Sequence, residues 1–177
     1  MLTATGKRFE TQCLAKGHDG LMASRIFITP LGLLWVETSA LGITRSGFDL
    51  NRPVFNQGGA NSDWLEAASS ELAEYFAGRR ECFTVPVDLR GLAPLARRIY
   101  EQVAQIPYGK TKSYGQIGLE TGLPARAVGA LLRQCPVVLF IPTHRVIHAD
   151  GRVGGFAGQS WLKAKLLDLE GALTGSG

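Results

Sequence analysis

Cysteine is scarce in this 177-residue sequence, and long hydrophobic runs are absent. The three cysteines, Cys13, Cys82 and Cys135, are an odd number at wide spacings, which suits a reduced compartment better than a disulfide framework. No run approaches the roughly 18 apolar residues that a membrane-spanning helix requires, and the N-terminus lacks the charged-then-apolar order of a secretory signal. We therefore expect a cytoplasmic or nucleoid-associated protein that does not enter a membrane.

Metal-ligand spacing is missing as well. Cys13 and His18 lie close together in sequence, but no second pair of ligands follows at a spacing that would complete a site. We expect no metal and no cofactor.

Charge is unevenly distributed along a chain of globular composition, which is 45% hydrophobic and 19% charged. Residues 1–90 contain nine Lys/Arg and ten Asp/Glu, a net charge of −1, whereas residues 91–177 contain ten and five, a net charge of +5, and together they give +4. A basic second half indicates either a polyanionic partner such as nucleic acid or a solvated basic face.

The first half of the sequence predicts a hairpin followed by a helix. Residues 22–29 and 33–38 flank the turn sequence Pro30–Leu31–Gly32, and residues 51–61 predict a loop. Ser62 or Asp63 can cap a helix that Gly78 closes. Its apolar residues recur every four positions, at Trp64, Ala68, Leu72 and Phe76. Residues 81–88 predict a short strand interrupted by Pro86, and we expect a domain boundary near Arg90.

The second half predicts mostly helices. Residues 93–105 carry Leu95, Ile99 and Val103 on one face. Two short helices, 113–121 and 124–134, are joined by a turn at Gly122, which describes a helix-turn-helix. The apolar run 135–141 predicts a buried extended segment. A last helix, capped by Ser160, carries Leu162, Leu166 and Leu169 and closes at Gly171, and we expect residues 172–177 to be a disordered tail.

His144 and Glu170 are the natural acid/base candidates, with His148 as a competing histidine. A histidine after an apolar run and a proline suits a base, although a core histidine satisfied by a hydrogen bond would look the same. The charges of the last helix, Lys163, Lys165 and Asp168, predict a solvated face.

Four motifs resemble one known family in order and spacing. They read IPYGKTKSYGQI, ARAVGALLRQ, PVVLFIPTHRVI and GRVGGFAG, and together they lie between Leu92 and Gly171. These closely resemble the O6-alkylguanine-DNA alkyltransferases, also called methylated-DNA–protein-cysteine methyltransferases. The resemblance implies an N-terminal α/β roll of ribonuclease-H-like shape, residues 1–90, and a mainly α C-terminal domain with a winged-helix-like helix-turn-helix, residues 91–171. It also implies a monomer that acts on duplex DNA.

The resemblance assigns DNA contacts to the second helix of the helix-turn-helix, which would enter the minor groove. Arg126 matches the arginine that fills the gap left by the extruded nucleotide, and Tyr114 matches the tyrosine that turns the target phosphate. Small residues that allow close approach to the backbone are Ala125, Ala127 and Gly129. The implied lesion pocket comprises Leu132, Pro142, Thr143, Val153, Gly154, Gly155, Phe156 and Ala157.

Thr143 departs from the family at the residue that accepts the alkyl group. Family members that repair DNA have a cysteine there, activated through a water by the histidine that His144 matches, and oriented by the glutamate that Glu170 matches. A threonine hydroxyl is far less acidic than a thiol and a poor nucleophile toward alkyl carbon. Three further departures from the family occur at Cys135, usually an asparagine, Phe156, usually a tyrosine, and Ala157, usually a serine.

These departures leave three functions open. The first is a sensor that flips O6-alkylguanine without repairing it and flags it for nucleotide-excision repair. The second is an acceptor-site mutant of an active alkyltransferase, or transfer to another residue such as Cys135. An extended run would hold Cys135 about 20 Å or more from Thr143. The third is a DNA-binding module that has lost lesion recognition.

Overall fold

The computed structural model describes residues 11–12, 23–48, 63–156 and 159–172. The predicted loop at 51–61, the candidate cap Ser62, the Cys13 and His18 pair and the pocket candidate Ala157 lie outside the described residues. In the described residues, no helix has the length and apolar character needed to cross a membrane.

The first half forms an antiparallel sheet of four strands in the order β1-β2-β3-β4. The predicted hairpin is confirmed, because β2 and β3 pair from Ala23–Thr38 to Thr29–Gly32. The sequence reading missed the two flanking strands, since GITRSG is poor in apolar residues and β1 has only two residues. The strands are β1 (Thr11–Gln12), β2 (Ala23–Thr29), β3 (Gly32–Ser39) and β4 (Gly42–Gly47).

Helix α1, Asp63–Phe76, packs on this sheet through β2 and β3. The predicted helix is confirmed and Gly78 follows it with φ +68°, but the buried stripe is rotated from the predicted one. Trp64 and Phe76 are only half-buried. The residues that the helix buries are Leu65, Ala68, Glu71, Leu72 and Tyr75.

Residues 81–88 are not the predicted strand. Their only β contact among the described residues is a single bridge between Val87 and Ile43. Two backbone hydrogen bonds flank it, because the Ile43 N–H donates to the Pro86 carbonyl and the Asp88 N–H donates to the Ile43 carbonyl. Pro86 has no N–H to donate, which prevents a continuous ladder.

The second half is helical as predicted, but Leu95 of the stripe predicted at 93–105 is exposed, and Ile99 and Val103 are buried. Ser113 caps α3 in a capping box with Gln116, and a short turn at Gly122 leads into α4. Gln159 rather than Ser160 occupies the N-cap of α5, because Ser160 is already helical. Strands β5 (Lys112–Ser113) and β6 (Val146–Ile147) pair in parallel. The helices are α2 (Pro94–Ala104), α3 (Tyr114–Thr121), α4 (Ala125–Arg133) and α5 (Ser160–Leu169).

The apolar run 135–141 folds back on itself, so the extended-segment prediction is wrong. Leu139 adopts φ +75°, and the Ile141 N–H donates to the Val137 carbonyl at 3.3 Å. Ser46 of β4 holds this segment to the sheet, since its hydroxyl donates to the Val138 carbonyl at 2.6 Å. The apolar composition does not require an extended strand here, because the turn at Leu139 is itself buried. A one-turn 3-10 helix, Thr143–Arg145, follows directly.

Gly118 provides a test of how tightly the helix-turn-helix is packed. A Cβ atom at Gly118 would collide with the Leu123 carbonyl oxygen, whereas a Cβ at Gly115 of the same helix meets only the Ser113 hydroxyl at 3.7 Å. We predict that Gly118→Ala lowers the free energy of unfolding by about 1–3 kcal/mol. Gly115→Ala should raise it by about 0.5–1 kcal/mol. Denaturant unfolding measures both, and equal effects of the two variants would contradict the packing.

Candidate functional site

The buried carboxylate of Glu170 is the centre of the candidate site. Glu170 directly follows α5, and its two oxygens accept five hydrogen bonds from side chains and backbone of three other regions. Oε1 accepts from the Tyr75 hydroxyl at 2.6 Å, from His144 Nε2 at 2.8 Å and from Arg145 Nη2 at 2.9 Å. Oε2 accepts from Arg145 Nε at 2.8 Å and from the Gly109 N–H at 3.3 Å. Every lone pair of the carboxylate is therefore engaged.

The hydrogen bonds keep Glu170 ionised although it is buried. Burial by itself would raise the pKa of Glu170, but donors from His144, Arg145 and Tyr75 outweigh burial and lower that pKa to about 2. Burial raises the pKa of the Tyr75 phenol, which therefore stays protonated as a donor. Burial also lowers the pKa of His144, against the opposing pull of Glu170. The imidazole is therefore neutral at neutral pH.

His144 is fully buried, and its hydrogen bond to Glu170 sets its tautomer. Because Nε2 donates to a carboxylate, Nδ1 of the neutral ring carries the free lone pair. Nδ1 is buried without a hydrogen-bond partner among the described residues. The ring packs edge-on against Phe156, with 6.3 Å between centroids. An imidazole held in this way is in the protonation state and tautomer that a general base requires.

A narrow cleft, whose empty volume of about 410 Å³ includes open solvent, lies beside Thr143. Of the predicted pocket residues, Leu132, Thr143, Gly155 and Phe156 line it. Pro142 is buried just before Thr143, and Val153 and Gly154 are half-buried in the adjoining loop, but none of these three is in the lining. The lining also includes residues that the sequence reading had not placed in the pocket, namely Tyr114, Gly129, Arg133, Cys135 and Val138.

Cys135 shares this cleft with Thr143, so the separation expected from an extended run is wrong. The turn at Leu139 reverses the chain between the two residues. The Cys135 thiol contacts the Val137 carbonyl at 3.6 Å, and burial raises its pKa to about 12. The thiol is therefore protonated at neutral pH.

Tyr114 lies between the cleft and a buried lysine. Lys163 was predicted on a solvated face, yet it is only 1% exposed and its Nζ donates to the Val146 carbonyl at 2.5 Å and to the Tyr114 hydroxyl at 3.3 Å. Burial lowers the pKa of Lys163 to about 8. Helical periodicity could have placed Lys163 beside Leu162 and Leu166 in the core. His148 packs against the Tyr114 ring at 5.3 Å between centroids.

The predicted DNA-contact residues of α4 lie on an accessible face. Ala125 and Arg126 are exposed at the start of the helix, and Ala127 is half-buried. Gly129 faces the Tyr114 ring, whose nearest atoms would lie 3.8 Å from a Cβ at that position. The helix therefore presents Arg126 outward while its glycine borders the cleft.

Sequence reasoning missed two members of the Glu170 cluster. Tyr75 lies 95 residues away in α1, so no local pattern could pair it with Glu170. Arg145 directly follows His144, and its burial at 6% exposure is unusual for an arginine. It donates to the Ile106 carbonyl at 2.6 Å and lies over the Tyr108 ring at 5.8 Å. Nothing in the sequence distinguished it from a surface cation.

Comparisons with known proteins cover both halves of the chain. The model for the 6-O-methylguanine DNA methyltransferase DNA binding domain matches residues 94–172, and that for the ribonuclease-like domain matches residues 22–89. A DNA base-flipping protein of Thermus thermophilus is 50% identical over 147 residues, 82% of this chain and 97% of that protein. The inducible methylated-DNA–protein-cysteine methyltransferase of Bacillus subtilis is 40% identical over 112 residues, 62% of each chain.

A solved structure gives the same agreement in three dimensions. The structure of Mycobacterium tuberculosis OGT in complex with DNA has a TM-score of 0.75 and 33% identity, covering 85% of this chain and 94% of that one. The two-domain arrangement, a small N-terminal sheet domain and a helical C-terminal domain, is therefore shared.

Replacing Glu170 tests whether the buried cluster holds the fold together. Glu170→Gln leaves Arg145 buried without its counter-charge, so we predict a loss of about 3–5 kcal/mol in the free energy of unfolding at pH 7. The pKa of Glu170 falls from 4.5 to about 2 on folding. Its stabilisation is therefore present above about pH 4.5 and lost as pH falls toward 2, and the variant should lack that acid-sensitive part.

The matched control is Glu66→Gln, which makes the same change at an exposed pair. Glu66 contacts Arg25 at 2.6 Å, but its side chain is 59% exposed, so the cost should be under about 1 kcal/mol. Urea unfolding across pH measures both variants. A cost for Glu170→Gln no larger than that of the control would contradict the account of the cluster.

Proposed function

The chain belongs to the 6-O-methylguanine DNA methyltransferase family, and from this premise we propose that it is a DNA repair protein that recognises O6-alkylguanine without accepting its alkyl group. In this proposal it binds duplex DNA, flips the lesion into the cleft beside Thr143 and releases it unchanged. The observation that carries the proposal is Thr143 itself, which lines the cleft directly before His144.

Thr143 cannot take over the chemistry of a thiol at this place. A cysteine with an ordinary pKa near 8.5 becomes a thiolate when a base assists it. A threonine hydroxyl beside the same imidazole stays protonated, and its oxygen is a poor nucleophile toward an alkyl carbon. In this proposal the cleft holds an alkylated base, and Thr143 offers no acceptor for the alkyl group.

The DNA-reading features of the family are retained. Arg126 is exposed at the start of α4, and small residues surround it where a backbone must approach closely. Residues 91–177 carry a net charge of +5, which favours a polyanion. Flipping a base costs a few kcal/mol. In this proposal two interactions offset that cost, because Arg126 enters the space that the base leaves in the stack and the cleft binds the flipped base. The Thermus thermophilus relative, named a DNA base-flipping protein, supports this reading.

The proposal extends to partners and to fold details. We propose that the protein acts as a monomer and that the bound lesion is passed to nucleotide-excision repair proteins, because a protein that cannot remove the alkyl group must leave that step to others. Residues 1–90 would form a ribonuclease-H-like roll, residues 91–171 the winged-helix-like unit, and 172–177 a tail.

Transfer to Cys135 is the second candidate function, because Cys135 lines the same cleft as Thr143. Burial raises the pKa of its thiol to about 12, which leaves little thiolate at neutral pH.

The other alternative is an active alkyltransferase whose acceptor cysteine has been replaced by Thr143. Such an acceptor-site mutant would have the same cleft. Neither alternative requires that Cys135, Phe156 and Ala157 all depart from the family. Natural divergence to a sensor is consistent with all three departures.

Binding preference tests the proposed function. We predict that the protein binds a duplex with one O6-methylguanine at least about fivefold more tightly than the undamaged duplex, since loss of a specific contact is worth about 1–3 kcal/mol and about 1.4 kcal/mol corresponds to tenfold. Titration at a fixed salt concentration measures both affinities. Equal affinities that fall together with salt would instead identify a DNA-binding module without lesion recognition.

Arg126→Ala tests the DNA-reading helix. We predict that it weakens binding of the O6-methylguanine duplex by about 1–3 kcal/mol and weakens binding of the undamaged duplex less. Arg79→Ala, which removes the same charge from an exposed site after α1, should leave the preference unchanged. If Arg126→Ala affects both duplexes as Arg79→Ala does, Arg126 has no role in lesion recognition.

A further inference from the structure

Tyr75 brings the N-terminal half into direct contact with the residues beside the cleft. It lies near the end of α1, and its hydroxyl donates to Glu170 Oε1 at 2.6 Å, the shortest of the five hydrogen bonds to that carboxylate. The Tyr75 ring is fully buried against Phe83, at 5.1 Å between centroids, and Tyr108, at 6.1 Å. Both its ring and its hydroxyl are therefore fixed.

A continuous set of contacts leads from Tyr75 to the cleft. Glu170 Oε1 accepts from both the Tyr75 hydroxyl and His144 Nε2, so the two donors fix the same oxygen from different sides. The His144 ring packs edge-on against Phe156, and Phe156 and Thr143 both line the cleft. A change in the orientation of Glu170 therefore moves His144, and with it one wall of the cleft.

The phenol differs from the other donors on this carboxylate. Arg145 makes two of the five bonds and neutralises the charge of Glu170, but it follows His144 in the same short helix and moves with it. Gly109 is the most distant donor, at 3.3 Å. Tyr75 is the donor that comes from the sheet domain, so it holds the carboxylate relative to a separate part of the fold. Groups of this kind orient a site through the residue they bind.

We propose that Tyr75 is a positioning residue of the lesion cleft: its hydroxyl fixes Glu170, Glu170 fixes the orientation of His144, and lesion discrimination therefore depends on both halves of the chain. This inference rests on the proposed function for its binding readout. It also makes the N-terminal half a part of the recognition site rather than only a support for it.

Tyr75→Phe removes the hydroxyl and keeps the ring contacts. Tyr100→Phe is the matched control, because Tyr100 is 2% exposed and its hydroxyl also donates one hydrogen bond, to the Leu131 carbonyl at 2.9 Å, without touching Glu170. Thermal unfolding of both variants is measured first, so that the next experiments are done at a temperature at which each variant is folded. Two quantities are then measured: the ratio of affinities for O6-methylguanine and undamaged duplexes, and the ring ¹⁵N signals of His144, assigned against His144→Gln.

The proposal predicts that Tyr75→Phe lowers the affinity ratio by about fivefold, within the range seen for residues that act through another, and shifts the His144 ring signals. Tyr100→Phe should change neither, although both variants lose stability. Unchanged ratio and signals in Tyr75→Phe, or equal losses in the two variants, would overturn it. If the wild type shows no lesion preference, the proposed function fails, and the His144 signals alone decide: a shift confined to Tyr75→Phe supports positioning, and its absence overturns it.

Discussion

The ionised carboxylate of Glu170 is the constraint on which the rest of the structure depends. A buried charge is costly unless it is paired and hydrogen-bonded, and Glu170 meets that requirement with donors from α1, from the turn at Gly109 and from the 3-10 helix that carries Thr143. Four of the five hydrogen bonds come from the second half and one, from Tyr75, comes from the first half, so the full set forms only when the two halves have packed together. Completion of the donor set therefore accompanies the contact between the two halves.

This dependence accounts for how the proposed sensor would keep the geometry of its site without a reactive group. The family resemblance implies that the glutamate and histidine serve a cysteine in members that repair DNA. Here the same pair stands next to Thr143, and its structural duties remain: Glu170 neutralises the buried Arg145, and His144 supports Phe156. Loss of a nucleophile removes no hydrogen bond from this cluster. In the proposed function, binding without transfer therefore requires no change in the contacts of this cluster.

Local sequence signals predicted the elements, and long-range contacts decided the site. The hairpin, α1, α2 and the pair α3–α4 followed from turn residues and helical periodicity. The apolar run 135–141 failed because composition cannot reveal the turn at Leu139, and residues 81–88 failed because Pro86 limits pairing. Tyr75 was missed because its partner Glu170 is 95 residues away. Lys163 was assigned to a solvated face although helical periodicity places it beside Leu162 and Leu166. His144 and Glu170 were identified as acid/base candidates and Thr143 by resemblance to a family motif, and their contacts became known only from the fold.

The claim that the lesion is bound and released unchanged is tested most directly by following the alkyl group. The protein is incubated in excess with a duplex containing one O6-methylguanine, and the intact mass of the protein and the O6-methylguanine remaining in the DNA are then measured. The account predicts an unchanged protein mass and full recovery of the lesion from a complex that formed. A protein heavier by one methyl group, with matching loss of the lesion, would contradict it, and peptide mapping would then show whether Cys135 or Thr143 is the acceptor.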